Sequence, residues 1–379
     1  MRRLTAVLAA VLLVAGCFWG AFAQDRATVA QTIPDTLDFS VDAKGAVVMD
    51  AQNGRVLFAK NANGRLPMAS TTKILTALMT LEQPDLYRQF QVDGQAVQVE
   101  GSSMGLRPGD QASLWALACG MLLPSGNDAA QAAAVKIDGT IEAFAQRMNQ
   151  RAQEIGMEDS HFVTPSGLDA PEHYASAYDM ALLAREALQN PLFAWICSQT
   201  SLEVSYGDPP APHQLTNHNR LLREYPGAVG VKTGYTKKAG RCLVSAAQQE
   251  GVTLIVVTLG CPDDWNTHHA LYDRYFARLT ATSTEGLLPA LRLPVAGAEG
   301  AWVELACEGP ETVALLEGET PEIEYQLPPF VWAPVEKGQL LGWAVLRCDG
   351  QPVARLAVKA NEGLPARKKP SLWERLTGG

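Results

Sequence analysis

Val229-Gly230-Val231-Lys232-Thr233-Gly234, Cys242-Leu243-Val244-Ser245-Ala246-Ala247 and the run from Val252 to Leu259 are short segments rich in β-branched and apolar residues, split by polar turns. Runs of that kind, so closely spaced, predict adjacent antiparallel strands. Toward the N-terminus, Gly45-Ala46-Val47-Val48-Met49-Asp50 is answered after Asn53-Gly54 by Arg55-Val56-Leu57-Phe58-Ala59. Two runs about an Asn-Gly pair predict a β-hairpin. Between these strand-forming ends the periodicity is helical. Ile74, Leu75, Leu78, Met79 and Leu81 recur at helix spacing with Pro67 upstream, so Ser70 is expected at or near the start of a buried helix. Leu114 to Leu123, Asn127 to Ile137, Ile141 to Ile155, Ala177 to Ala187 and Asp263 to Leu279 also read as helices. Strands at both ends with helices between them predict an α/β chain of the α+β kind, one antiparallel sheet flanked by helices.

Beyond about Ser283 the chain becomes rich in Pro, Gly and Glu, with short apolar runs such as Thr312 to Leu316 and Leu341 to Leu346. A small β-rich C-terminal domain is expected there. The division read from the sequence is 1–23 signal segment, 24–37 linker, 38–282 main domain, 283–362 β-rich domain and 363–379 basic tail. In that tail Leu372, Trp373 and Leu376 fall near one helical face among cations, a candidate for peripheral membrane contact, with an ordinary frayed terminus as the alternative.

At the N-terminus, Arg2-Arg3 precedes an uncharged run from Leu4 to Ala23 that ends in Ala21-Phe22-Ala23, the pattern of an export signal cleaved after Ala23. Val14-Ala15-Gly16-Cys17 offers a lipoprotein reading, and an uncleaved anchor is a third. Each of the three places the remaining chain outside the cytoplasm. The 379 residues are 47% hydrophobic and 19% charged, ordinary for a globular chain longer than one average domain. A net charge of -9 and the lack of a long basic stripe argue against nucleic acid as a partner. Removal of the leader leaves Cys119, Cys197, Cys242, Cys261, Cys307 and Cys348. The first four are expected as small buried hydrophobes, and Cys307 with Cys348 is the best candidate for a bridge. His161, His173, His213, His218, His268 and His269 form no recognisable ligand set, so no metal or other cofactor is expected.

Three short motifs occur in order: Ser70-Thr71-Thr72-Lys73, Ser125-Gly126-Asn127 and Lys232-Thr233-Gly234. Each alone is weak, since a helical lysine is usually solvated and a serine often merely caps. Together they describe one chemistry. Positions i and i+3 share a helix face, which brings the Ser70 hydroxyl and Lys73 amine within reach. A serine attacks only when a base takes its proton, and Lys73 can be that base only if burial or a nearby cation such as Lys232 lowers its pKa. The flanking Leu66, Met68, Ile74 and Leu75 fit a desolvated site. Ser125, on a turn, is placed to pass a proton toward a leaving group. Asn127 is placed to bond a substrate backbone. On a strand, Lys232 and Thr233 offer a cation and a hydroxyl to a carboxylate, while Gly234 permits close approach. The backbone N–H groups of Ser70 and Tyr235 would make an oxyanion hole.

The wider text resembles the D-alanyl-D-alanine carboxypeptidases, the low-molecular-mass penicillin-binding proteins of serine peptidase family S11. The resemblance runs through Pro67 to Ile74, Pro124 to Ala130, Phe162 to Leu168, Ala177 to Met180, Asn219 to Leu222 and Gly230 to Thr236 with Ala239-Gly240, spanning roughly Asp38 to Leu279. It implies a β-lactamase or D,D-transpeptidase-like fold, acylation of Ser70, release of D-alanine from a peptidoglycan peptide, hydrolysis of the acyl-enzyme by water, and covalent inhibition by β-lactams. The tail is shorter than the family's amphipathic anchors. A D,D-endopeptidase would use the same residues, and a non-catalytic wall-binding protein would need none of them. A class A β-lactamase would need a water-positioning glutamate, usually in Glu-x-x-Leu-Asn. The nearest match, Glu186-Ala187-Leu188-Gln189-Asn190, has its leucine out of place and continues a helix.

Overall fold

A computed structural model describes residues 39–367. The expected signal segment and most of the basic tail lie outside the described residues. The chain divides into two compact units after Arg278.

In the first unit, β1 (Gly45–Asp50) and β2 (Val56–Lys60) form the expected hairpin. A 3₁₀ turn, Ala69–Thr72, leads into α1 (Lys73–Leu81), every residue of which is buried. Two-residue strands β3 (Phe90–Gln91) and β4 (Gln111–Ala112) precede α2 (Leu114–Leu122), α3 (Asn127–Asp138), α4 (Ile141–Ile155) and α5 (Ala177–Gln189). The caps follow the local sequence: Ser113, Thr140 and Ser176 each accept a backbone N–H of the following first turn, and Gly156 ends α4 in the left-handed region. Next come α6 (Pro191–Ser198), the hairpin β5 (Ser201–Gly207) and β6 (Pro210–Thr216), and the single turn α7 (Leu221–Glu224). The unit closes with β7 (Ala228–Thr236), β8 (Gly240–Gln249), β9 (Val252–Leu259) and α8 (Asp264–Phe276).

The main sheet has the order β2-β1-β9-β8-β7, and every pairing is antiparallel. Alternation along β9 sorts its two faces. Ile255, Val257 and Leu259 join the main core with Val47, Met49 and residues of α1 and α5. Thr258, between them, instead meets His268 of α8. Both faces are therefore covered, which is why β9 and β1 read as unbroken apolar runs. Among the described residues, the strand β7 ends the sheet and leaves one edge unpaired by other sheet strands.

The second unit begins with β10 (Leu279–Ser283), followed by β11 (Leu291–Ala296), β12 (Trp302–Glu308), β13 (Thr312–Leu316), β14 (Glu322–Gln326), β15 (Val331–Trp332), β16 (Leu340–Cys348) and β17 (Gln351–Ala360). It is β-rich, with a six-stranded sheet ordered β14-β16-β17-β12-β11-β15 and a separate β10-β13 pair. The division falls slightly before the boundary expected at 283, because Leu279 to Ser283 pairs with Leu316 to Thr312. Cys307 and Cys348 are not joined by a disulfide, which corrects the expected bridge. Cys307 aligns across β17 with Gly342, six positions along β16 from Cys348. At about 3.3 Å per strand residue, that offset of roughly 20 Å far exceeds the ~7 Å a disulfide allows between Cα atoms.

Candidate active site

The three motifs, widely separated in sequence, converge. Ser70 lies within the 3₁₀ turn, one turn before the α-helix proper, rather than on α1 itself. Its predecessor Ala69 has φ +50° and Ser125 has φ +63°, conformations that non-glycine residues adopt at a cost of about 1–3 kcal/mol. Strain thus flanks the nucleophile candidate and occupies the second motif. The turn is held by its own threonines: Thr71 Oγ1 donates to Met68 O (2.6 Å) and Thr72 Oγ1 to Ala69 O (2.8 Å).

Lys73 Nζ is fully buried and lies 3.0 Å from Ser70 Oγ, 2.7 Å from Asn127 Oδ1 and 2.6 Å from the Ser166 carbonyl. The Asn127 orientation follows from its other end, where Nδ2 donates to Glu100 O at 2.7 Å and can do so only as the amide nitrogen. Burial holds Lys73 well below the ordinary lysine range, the Lys232 ammonium lowers it further, and Asp128 opposes them. A neutral amine has two N–H bonds and one lone pair. Ser166 O and Asn127 Oδ1 are pure acceptors and take the two N–H groups, so the lone pair is left facing the Ser70 hydroxyl.

Lys232, on β7, is buried and donates to Thr233 O at 2.9 Å. Desolvation pushes its pKa down to about 7. Two ammonium groups in one dry site repel, which favours a single positive charge shared between the pair. Gly234 lies directly against the nucleophile turn: a Cβ there would stand 3.0 Å from Ser70 N and 3.1 Å from Met68 O. The strand β7 is thus brought against the Ser70 backbone, with Thr233 half-buried and Tyr235 exposed beside it. Ser125 is buried on the turn between α2 and α3, and Asn127 opens α3.

Several residues with no role assigned from the sequence complete the site. The Asp128 carboxylate accepts from Ser103 Oγ and from the backbone N–H groups of Met104, Gly105 and Leu106, while Asn127 N donates to Ser102 O. Together they clamp residues 100–106 beside the second motif. The segment 163–168 supplies the Ser166 carbonyl and is tied to α1 by Thr76 Oγ1, which donates to Pro165 O at 2.6 Å. Burial, and after it the Lys232 charge, lower the His218 pKa, so His218 belongs to the same neighbourhood. A signal was present in the Phe162 to Leu168 and Asn219 to Leu222 resemblances, but composition and spacing assign such loop residues no chemistry. Glu186, the nearest match to a deacylating glutamate, bonds Arg151 at 2.7 Å on α4 and is a structural anchor of α5.

Comparison with known proteins gives the family. The family model for D-alanyl-D-alanine carboxypeptidase, Peptidase S11, matches residues 28–263. The chain is 33% identical over 346 residues to D-alanyl-D-alanine carboxypeptidase DacF of Bacillus subtilis, covering 87% of each. Among solved structures, penicillin binding protein 5 from Haemophilus influenzae matches with TM-score 0.72 and 27% identity, over 87% of this chain and 99% of that one. The Streptomyces K15 DD-transpeptidase matches with TM-score 0.61 and 28% identity, over 64% of this chain and 99% of that one. The chain accordingly belongs to the S11 family of serine peptidases and is a serine-type D-alanyl-D-alanine carboxypeptidase.

Proposed function

We propose that Ser70 is the nucleophile and that Lys73 is its base, acting on the terminal D-alanyl-D-alanine bond of a peptidoglycan pentapeptide outside the cytoplasm. The observation that carries this assignment is the set of contacts at Lys73. With both N–H groups committed to Ser166 O and Asn127 Oδ1, the amine can only accept from Ser70 Oγ–H. The substrate lies along the β7 edge as an added strand. Its terminal carboxylate meets Lys232 and Thr233, and its scissile carbonyl sits beside the backbone that Gly234 approaches.

Ser70 Oγ gives its proton to Lys73 as it bonds to the carbonyl carbon, and the negative charge on oxygen is met by the N–H groups of Ser70 and Tyr235. The proton passes by way of Ser125 to the leaving amine, and D-alanine departs. Water, deprotonated by the same lysine, then cleaves the ester and restores Ser70. A β-lactam presents the same carboxylate and a strained amide, and ends at the covalent ester. The family's named activities and the matching fold support this reading.

The test uses purified protein with a fluorescent penicillin and with a pentapeptide ending in D-Ala-D-Ala, beside Ser70→Ala. The parent is expected to carry a covalent label and release D-alanine; the variant, to do neither. Retained labelling in Ser70→Ala would remove Ser70 from the mechanism. Release of D-alanine without any adduct would remove the acyl-enzyme.

A further inference from the structure

Outside the three motifs, one buried side chain joins the turn that carries Ser70 to the segment that supplies the Ser166 carbonyl. His173 is 5% exposed, with its ring edge-on to Phe162. Its Nδ1 lies 3.0 Å from the Val163 N–H, which can only donate, so Nδ1 carries the lone pair. The proton is therefore on Nε2, which donates to Thr72 Oγ1 at 2.9 Å. Thr72 Oγ1 in turn gives its own proton to Ala69 O at 2.8 Å. Every donor has one acceptor, and the direction of the chain is fixed from Val163 to the residue before the nucleophile.

The same two pieces of backbone are pressed together beside this chain. A Cβ on Gly167 would stand 2.0 Å from Ala69 O and 2.8 Å from Thr72 Oγ1, so only glycine, here with φ +84°, allows the segment to lie this close. Ala69 is itself held at φ +50°. A strained turn persists only where its surroundings over-determine it. Ala69 O accepts the end of the hydrogen-bond chain, and Ser166, three residues beyond Val163, gives Lys73 one of its two acceptors.

We propose that His173 is a positioning residue: as a neutral imidazole it locks the Ala69-Ser70 turn to the 163–168 segment, so that the Lys73 lone pair points at Ser70 Oγ. The inference rests on the assignment of Ser70 and Lys73 as nucleophile and base. Burial first, then the nearby His161 and Lys238, lower the His173 pKa to about 4, so the required tautomer persists at neutral pH. A protonated ring would turn an N–H toward the Val163 N–H and break the chain at its first link.

The test measures the acylation rate by fluorescent penicillin and the thermal midpoint for His173→Phe, Thr72→Val, the double variant and Thr72→Ser. His173→Phe keeps a ring and removes both nitrogens; Thr72→Val keeps the shape and removes the hydroxyl. Because sub-ångström misplacement of a reacting pair is costly, each single change is expected to slow acylation about ten- to a hundred-fold at temperatures where it is fully folded. The double variant should lose no more than the worse single, since both break one chain, and Thr72→Ser should regain most of what Thr72→Val loses. With pentapeptide, kcat should fall more than KM rises. If the parent is labelled at Ser70 while both singles acylate within about two-fold of it, the relay is wrong and the Ser70–Lys73 assignment stands. Losses that multiply in the double variant also overturn the relay. Should His173→Phe not fold, the Thr72→Val and Thr72→Ser pair decides alone.

Discussion

At the scale of single residues, the candidate site is built around two buried lysines whose proposed roles require opposite charge states. Lys73 must be neutral to accept a proton, so acylation is expected to fall as pH drops through its depressed pKa. Lys232 must be charged to hold a carboxylate, so KM is expected to rise as pH climbs above about 7. A pH series of kcat and KM with pentapeptide separates the two limbs. The same shift governs stability. Between the folded pKa of about 7 and the ordinary 10.5, the unfolded chain holds a proton at Lys232 that the folded chain lacks, so stability rises with pH across that window. Lys232→Met is expected to flatten that rise in denaturant titrations. It should also raise KM about ten- to a hundred-fold, the worth of a charge-assisted hydrogen bond. A slope no flatter in the variant would show that Lys232 does not titrate in that window, and an unchanged KM would show that it is not the carboxylate partner.

At the scale of elements, what matters is how closely β7 meets the nucleophile turn. The neighbours of a Cβ at Gly234 are backbone atoms of Met68, Ser70 and Thr71, which cannot swing aside. Gly234→Ala is therefore expected to push strand and turn apart by a few tenths of an ångström and to slow penicillin acylation about ten-fold, with little change in melting. A second element-level prediction concerns α8 and the far face of the sheet. His268 is fully buried, its ring nitrogens meeting Ser245 Oγ at 2.6 Å and Thr258 Oγ1 at 2.9 Å. Burial, with a smaller contribution from His269, lowers its pKa to about 3. Its folded pKa lies below the unfolded value, so the unfolded chain binds the extra proton as pH falls below about 6.5. Acidification from there to pH ~4 should cost about 3 kcal/mol through this group, and His268→Gln should remove most of that slope in urea unfolding.

Legibility at this scale followed periodicity. The strands β1, β2, β7, β8 and β9 and the helices α1 to α5 and α8 were readable because each shows an apolar period or an uninterrupted buried run. The helix α6 was not, because Pro191 to Ser198 is short and apolar on most sides, with no polar face to reveal its turn. The hairpin β5-β6 carried a partial signal, since Leu202, Val204 and Tyr206 alternate inward along β5. Pro210 and Pro212 hide its second strand, which ends its sheet, where proline is tolerated. The placement of Ser70 on a 3₁₀ turn rather than on the helix was also beyond periodicity, because the turn depends on Gly167 and His173, about a hundred residues away.

At the scale of the whole molecule, the first unit contains all eight proposed site residues, a closed core and a sheet covered on both faces. The K15 enzyme, matched over 99% of its own length by 64% of this chain, has the same fold with fewer residues. A chain ending at Arg278 is therefore expected to fold cooperatively and to be acylated by penicillin within about three-fold of the full-length rate, as befits a unit with its own core. A truncated chain that melts normally yet fails to label would show that the second unit contributes to the site.

What the sequence by itself determined is the set of parts: the order of strands and helices, the β-rich second unit, and three motifs whose residue types match the nucleophile, base and carboxylate-binding cation proposed above. Those are local properties, written in spacing and side-chain chemistry. Only the tertiary structure decided how the parts become a site. Two N–H groups of Lys73 are consumed by acceptors from Asn127 and Ser166, far along the chain, and Gly234 lets the last strand of the sheet lie against the Ser70 backbone. The physical reason is that a lone pair has no direction in sequence; it acquires one only when burial removes water and packing commits every other partner of the amine.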